Sequence, residues 1–136
     1  MIFSIVPVPA SRARVTKRGA FYAKPYEQFR KDMKVLKLQY KQNILSGALA
    51  YKATFYCPIP KSITIKGKKK TYTKAERAEM NGMPAVQAPD LDNLTKAILD
   101  SLEGWFFEND KQFCKDEAEK IYSVHPRIEI DLYILN

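Results

Sequence analysis

Apolar residues along this chain recur at two different spacings, and each change of spacing marks the boundary of an element. Tyr26, Phe29, Met33, Leu36 and Tyr40 are separated by alternating steps of three and four, one apolar stripe of an amphipathic helix. Lys31, Lys34, Lys37 and Lys41 fall largely outside that stripe. Pro25 suits the first turn of such a helix and Gly47 its end, so the pattern predicts a helix from Pro25 to about Ser46-Gly47. A second helix is expected from Asn93 to Glu103, closed by Gly104, where a left-handed φ is usual. Leu94, Ala97, Ile98 and Leu102 project to one side of it and Lys96, Asp100 and Glu103 to the other, with Asp92 continuing the polar side. Leu99 is the one apolar residue out of place, and it would floor the polar face.

Elsewhere the period drops to two. IFSIVPVP reads as a strand that ends at Pro7 and Pro9. SRARVTKRGAFYAKP follows as a basic loop, a hairpin turning at Arg18-Gly19 with FYA as its return strand and Arg12, Arg14, Lys17 and Arg18 exposed. ALAYKATFYC, residues 48–57, is rich in β-formers and stops at Pro58 and Pro60, which predicts a strand. Residues 61–88 keep no period: they hold Lys66, Lys68, Lys69 and Lys70, one short helix at AERAEM and a stop at Asn81-Gly82. The segment is therefore expected to be a long, mobile basic loop, since structureless stretches of that length in compact domains are functional or disordered. EKIYSV and RIEIDLYIL flank a turn at His125-Pro126 and predict an antiparallel hairpin, with Ile128, Ile130, Leu132 and Ile134 on one face. There are no internal repeats. Strands and helices mix without regular alternation, so the expected class is α+β: one domain spanning 1–136, with a small mixed sheet and two main helices.

Composition adds limits. The 136 residues are 46% hydrophobic and 28% charged, ordinary globular values, and enough chain for one core but not two. Met1 runs into IFSIV without the charged start, apolar stretch or cleavage site of a secretory leader, and no run approaches the roughly 18 apolar residues of a membrane span. A soluble, cytoplasmic protein is expected. Cys57 and Cys114 stand apart and His125 is the only histidine, so zinc lacks its usual ligand set and free, partly buried thiols are expected.

Charge changes the picture more. Residues 1–89 hold 18 Lys+Arg against 4 Asp+Glu, net +14, whereas residues 90–136 hold 5 against 11, net −6; together they make the formal +8. A basic chain of this size commonly meets nucleic acid, because neutralised phosphates release condensed counterions. An acidic segment inside it needs a separate reason. Asp90, Asp92, Asp100 and Asp110 fall within 21 residues, with Lys96 among them. Pro89 favours an extended approach to the helix, and in extended chain residues i and i+2 share a side, so Asp90 and Asp92 would aim at one point while Leu91 enters the core and Asp92 caps the helix. An Asp cap and (i, i+4) pairs such as Asp92 with Lys96 also occur on ordinary solvated faces. Clustered carboxylates repel unless a cation intervenes, and magnesium, which takes hard oxygen ligands and substrate phosphate, is the cation that fits.

The segment PDLDNLTKAILDSL followed by ENDKQ resembles the RusA-type family of Holliday junction resolvases, often phage- or prophage-encoded, whose signature is KPDxDNLxKxxxDxL and then a (D/N)Dxx segment ending an aromatic turn. The likeness extends to the first strand, the PVPxSRxR-like basic loop, the amphipathic helix and the strand leading into a proline-and-lysine loop. One departure is AVQA before Pro89, where many relatives carry Lys or His. The resemblance implies Mg²⁺-dependent cleavage of four-way DNA by an intimate two-fold homodimer in a bacterial or phage-encoded cytoplasmic setting, with Mn²⁺ as the other candidate ion, its substitution left open, and no organic cofactor. It places the essential acids, metal-binding and catalytic, on Asp90, Asp92 and Asp110 and the essential lysine on Lys96, with Asp100 either at the metal or orienting Lys96. Activated water and relief of phosphoryl charge are what phosphodiester hydrolysis needs, and Lys96 would stabilise charge near the scissile phosphate.

Arg12, Arg14, Lys17 and Arg18, with Lys66, Lys68, Lys69 and Lys70, would hold DNA backbone, contacts that position a substrate without reading it. Paired incisions of a junction call for two-fold symmetry, with the C-terminal apolar hairpin or Trp105 to Phe107 as interface, unless those aromatics pack in the core. Two other readings share the residues: a metal-dependent nuclease on other DNA or RNA, and a non-catalytic basic nucleic-acid-binding protein whose acids only cap and solubilise.

Overall fold

The structure, a computed structural model, describes residues 1–136 apart from the side chain of Phe21. The elements follow in the order β1 (Ile2–Phe3), β2 (Arg14–Thr16), β3 (Gly19–Phe21), α1 (Lys24–Leu36), β4 (Leu49–Pro58), β5 (Ser62–Ile65), β6 (Lys68–Thr71), α2 (Lys74–Met80), α3 (Leu91–Leu102), β7 (Phe113–Ser123) and β8 (Arg127–Ile134). The fold is α+β in one domain, as expected. Four strands form a mixed sheet in the order β1-β8-β4-β7, and two small hairpins, β2-β3 and β5-β6, stand apart from it. None of the described helices is long and apolar enough to cross a membrane.

β4 is the centre of the sheet because it is the most apolar strand. Leu49, Tyr51, Ala53, Phe55 and Cys57 alternate inward and are at most 5% exposed. β8 pairs antiparallel along one edge of it, Ala53 opposite Ile130, and β7 pairs parallel along the other, Ala53 opposite Ala118. The expected hairpin between the last two strands therefore does not form, since β4 is inserted between them. β7 carries charge on both faces in KDEAEK, which suits an edge position rather than the middle of a sheet. Ile128 and Ile130 of β8 are 1% exposed, whereas Ile134 at the strand end is 49% exposed, so the apolar alternation of β8 holds only in its first half.

α1 and α3 pack on the inward face of the sheet. Tyr26, Phe29 and Met33 carry α1 into the core as the three-four spacing requires. α1 ends ten residues before the expected stop, at Leu36, followed by one 3-10 turn over Lys37–Gln39; Tyr40 is extended. The Tyr40 ring packs edge-on to Phe3 at 5.6 Å, and its hydroxyl and the backbone of Ile2 bond each other, so the stripe continues into the core after the helix has stopped. The N-terminal strand is likewise short: only Ile2 and Phe3 pair with β8, and the prolines at 7 and 9 lack the N–H a ladder needs.

Residues 61–88, expected as a loop with one short helix, also contain the β5-β6 hairpin, which turns at Lys66-Gly67, both at positive φ (50° and 77°). α2 is closed at its start by a capping box in which Thr73 and Glu76 satisfy each other's backbone N–H groups.

Candidate active site

α3 organises the acidic half of the chain. Leu94, Ala97, Ile98 and Leu102 are at most 1% exposed, and burial of each of the three larger side chains contributes about 1.5–3 kcal/mol. Leu99, which breaks the polar face in the sequence, packs in the same core at 9% exposure. The helix starts two residues earlier than expected. Asp90 is its N-cap, with φ −67° and ψ 141°, and the Leu94 N–H closes the first turn on the Asp90 carbonyl at 3.2 Å. Asp92 is thus the second helical residue and not the cap; its Oδ1 accepts the Asn93 N–H at 3.0 Å. The extended Asp-Leu-Asp arrangement does not form, because the extended backbone stops at Asp90. Both carboxylates nevertheless sit exposed at the start of α3, where the helix dipole favours negative charge.

Asp110 is placed elsewhere. It opens a 3-10 turn over Asp110–Gln112, and its N–H donates to Glu103 Oε1 at 3.1 Å, at the C-terminal end of α3. From Asp92 to Glu103 the helix axis rises about 16 Å at about 1.5 Å per residue. Among the described residues no three His, Cys, Asp or Glu side chains form a group that could hold a metal ion. The oxygen donors have the hard character that magnesium takes, but a single chain does not gather enough of them at one place.

Lys96 and Asp100 do meet. The Lys96 ammonium lies 3.6 Å from Asp100 Oδ2, and the same oxygen accepts a long hydrogen bond from the Tyr26 hydroxyl at 3.4 Å. Burial, and then the Asp100 charge, push the Tyr26 phenol up to about 12, so the hydroxyl remains a donor throughout the neutral range. Arg30 stacks over Tyr22 at 4.7 Å and Tyr26 at 5.7 Å, which joins α1 to this network. Asp100 therefore holds Lys96 and is itself held from α1.

Asp92 also borders a cleft of about 830 Å³ whose lining includes Tyr51, Thr95, Asp116 and Glu119. The Tyr51 hydroxyl approaches Asp116 Oδ2 at 3.4 Å; burial first and Asp116 second raise its pKa. Asp116 and Lys120 are not among the residues that the sequence singles out. Lys120 donates from Nζ to the Gln87 and Pro89 carbonyls, both at 2.6 Å, immediately before Asp90. The available signal was its phase: Ala118, Lys120 and Tyr122 alternate in β7, so Lys120 shares the face of an inward tyrosine.

The basic residues are exposed as expected. Arg14 lies in β2, Lys17 and Arg18 form the turn of its hairpin, one residue earlier than the sequence indicated, and Arg12 precedes it. Lys66, Lys68, Lys69 and Lys70 lie on the β5-β6 hairpin, where Lys70 is engaged by Glu76 at 3.1 Å. Of the aromatic segment, Phe106 and Phe107 are 6% and 0% exposed and the Trp105 indole donates to the Tyr40 carbonyl, so these residues serve the core. Cys57 and Cys114 are free thiols, the first buried and the second exposed.

The chain matches the family described as Endodeoxyribonuclease RusA over residues 4–133. It is also similar to the uncharacterized protein YqaN of Bacillus subtilis (strain 168), at 32% identity over 89 residues, which is 65% of this chain and 59% of that protein.

Proposed function

The chain belongs to the RusA endodeoxyribonuclease family, and on that premise we propose that it is a magnesium-dependent, structure-selective endonuclease that resolves four-way DNA junctions by paired symmetric incisions as a homodimer. The observation that carries this reading is the division of the acids between the two ends of α3: Asp90 and Asp92 at one, Asp110 at the other. Within one chain they are too far apart to share an ion. In a two-fold dimer, Asp110 of the partner subunit completes the pair, and each of two equivalent sites then uses both chains. Site formation is thereby tied to the oligomer that paired incision requires.

Asp90 and Asp92 of one chain with Asp110 of the partner subunit would hold a magnesium ion, which would supply an activated water and relief of phosphoryl charge. The chain's own residues do the rest. Lys96, tethered by Asp100, brings a compact positive charge to the non-bridging or leaving oxygen of the scissile phosphate. The β2-β3 and β5-β6 hairpins, separate from the main sheet and with Arg12, Arg14, Lys17, Arg18, Lys66, Lys68 and Lys69 exposed on or beside them, hold the arms of the substrate through phosphate contacts.

Subunit complementation tests the assignment. Asp92→Asn and Asp110→Asn homodimers should bind a synthetic four-way junction and fail to cut it. A heterodimer of the two variants contains one site with both substitutions and one with neither, so it should nick one strand in magnesium. If the heterodimer is as inactive as its parents while wild-type protein cuts, the acids act within one chain and the shared site is wrong. If wild-type protein cuts linear duplex or RNA as readily as the junction, the substrate assignment fails.

A further inference from the structure

The backbone that leads into Asp90 is gripped by β7, and the last part of the grip belongs to two side chains, Lys120 and Tyr122. The Gly82 N–H donates to the Tyr122 carbonyl at 2.8 Å, the Tyr122 N–H to Met83 O at 2.9 Å and the Ala85 N–H to Lys120 O at 3.0 Å. This ladder stops at Ala85. Beyond it the Lys120 ammonium donates to the carbonyls of Gln87 and Pro89, and the Tyr122 hydroxyl accepts the Gln87 N–H at 3.4 Å. Hydrogen bonds from a charged donor are about twice as strong as neutral ones. The ion pairs of the described residues involve other side chains, so this part-buried ammonium has no carboxylate within 4.0 Å. A buried charge without a counter-ion is costly unless hydrogen bonds compensate it, and here two backbone carbonyls do so. Asp90, at the far end of the clamped segment, makes no side-chain cap hydrogen bond of its own. Its direction is set by the backbone that carries it.

We propose that Lys120 is a positioning residue for the Asp90–Asp92 pair: by clamping the carbonyls on either side of Ala88 it fixes the angle at which the chain enters α3, and with it the aim of the two carboxylates. The inference rests on those carboxylates being the cation-binding pair, and it adds a requirement that the family signature around residues 89–102 does not contain. Loss of the clamp frees residues 87–90 while β4 and the body of α3 stay packed, because their apolar contacts do not involve Lys120.

Lys120→Met tests this in the whole 136-residue chain with two readouts that need no DNA and two that do. Amide hydrogen exchange should accelerate selectively at Gln87 and Leu94, whose N–H groups are bonded to the Tyr122 hydroxyl and the Asp90 carbonyl, and stay unchanged in β4. Binding of Mn²⁺, followed by its paramagnetic resonance signal, should weaken about tenfold or more, the usual cost of removing a group that orients a metal ligand. Junction cleavage should fall in parallel, with junction affinity measured in Ca²⁺ unchanged. Wild-type exchange or wild-type Mn²⁺ affinity in the folded variant overturns the proposal. If Lys120→Met does not fold, Lys120→Gln, which keeps amide N–H donors on a shorter, uncharged side chain, is judged by the same criteria. If exchange and Mn²⁺ binding respond as expected but wild-type protein does not cut a junction, the clamp stands and the junction reading falls.

Discussion

Substitution of Asp100 by Asn separates two roles for a carboxylate that the sequence pattern alone leaves equivalent. The Lys96–Asp100 pair spans 3.6 Å, with the lysine 63% and the aspartate 33% exposed. At an effective dielectric of about 20 the bare attraction at that distance is about 4–5 kcal/mol. Solvent and side-chain entropy reduce such half-exposed pairs to about 0.2–1 kcal/mol of net stability. Asp100→Asn should therefore lower the melting temperature by only a few degrees, at about 2–8 °C per kcal/mol for domains of this size range. Its effect on cleavage should be larger. If Lys96 serves the phosphate as proposed, an untethered lysine spends less time there, and complete removal of a charge-stabilising donor costs about 2.7–4 kcal/mol in the transition state, or 10²–10³ in rate. A fall of about ten- to a hundredfold in single-turnover rate on a labelled four-way junction is expected for Asp100→Asn, and about 10²-fold or more for Lys96→Met. The double variant decides the mechanism. If Asp100 acts through Lys96, the pair of substitutions should be no worse than Lys96→Met alone, and Mn²⁺ affinity should be unaffected. Additive losses, or weaker Mn²⁺ binding in Asp100→Asn, would refute the tethering account and make Asp100 a metal ligand.

Two further outcomes follow from the same structure. The Tyr26 phenol is raised from 10.0 to about 12, and those of Tyr51 and Tyr56 are also raised, so the folded state binds more protons than the unfolded state above pH 10. The stability they contribute is fully present below pH 10 and is lost as the pH rises towards about 12; thermal denaturation across that window should show a steeper fall for wild-type protein than for Tyr26→Phe, and equal slopes would contradict the assignment. Removing two exposed charges from the second hairpin with Lys68→Gln and Lys69→Gln should flatten the dependence of log affinity on log salt by about 1.8 for a junction, at about 0.9 per phosphate contact, whereas an unchanged slope would remove that hairpin from the DNA surface.

α3 was almost wholly legible: the expected span of 93–103 became Leu91–Leu102, and the face assigned to the core is the face that is buried. The basic tip of the β2-β3 hairpin was legible for the same reason, since a turn declares itself within a few residues. The β5-β6 hairpin was missed although Lys66-Gly67 is a turn dipeptide, because KKKT has no apolar alternation to mark a strand. The end of α1 was misplaced because Tyr40 continues the helical stripe from an extended segment.

Taken alone, the amino-acid sequence determined most helix faces and turns, the charge division at residue 90 and the residue types at the site, because helix faces and turns depend on neighbours within about four positions. Tertiary structure decided everything that depends on distant partners: β4 lies between β7 and β8, Lys120 reaches Pro89 across 31 residues of chain, and Asp110 lies at the opposite end of α3 from Asp92. Strand order and the separation of two helix ends are set by which apolar faces bury one another, and no local period carries that information.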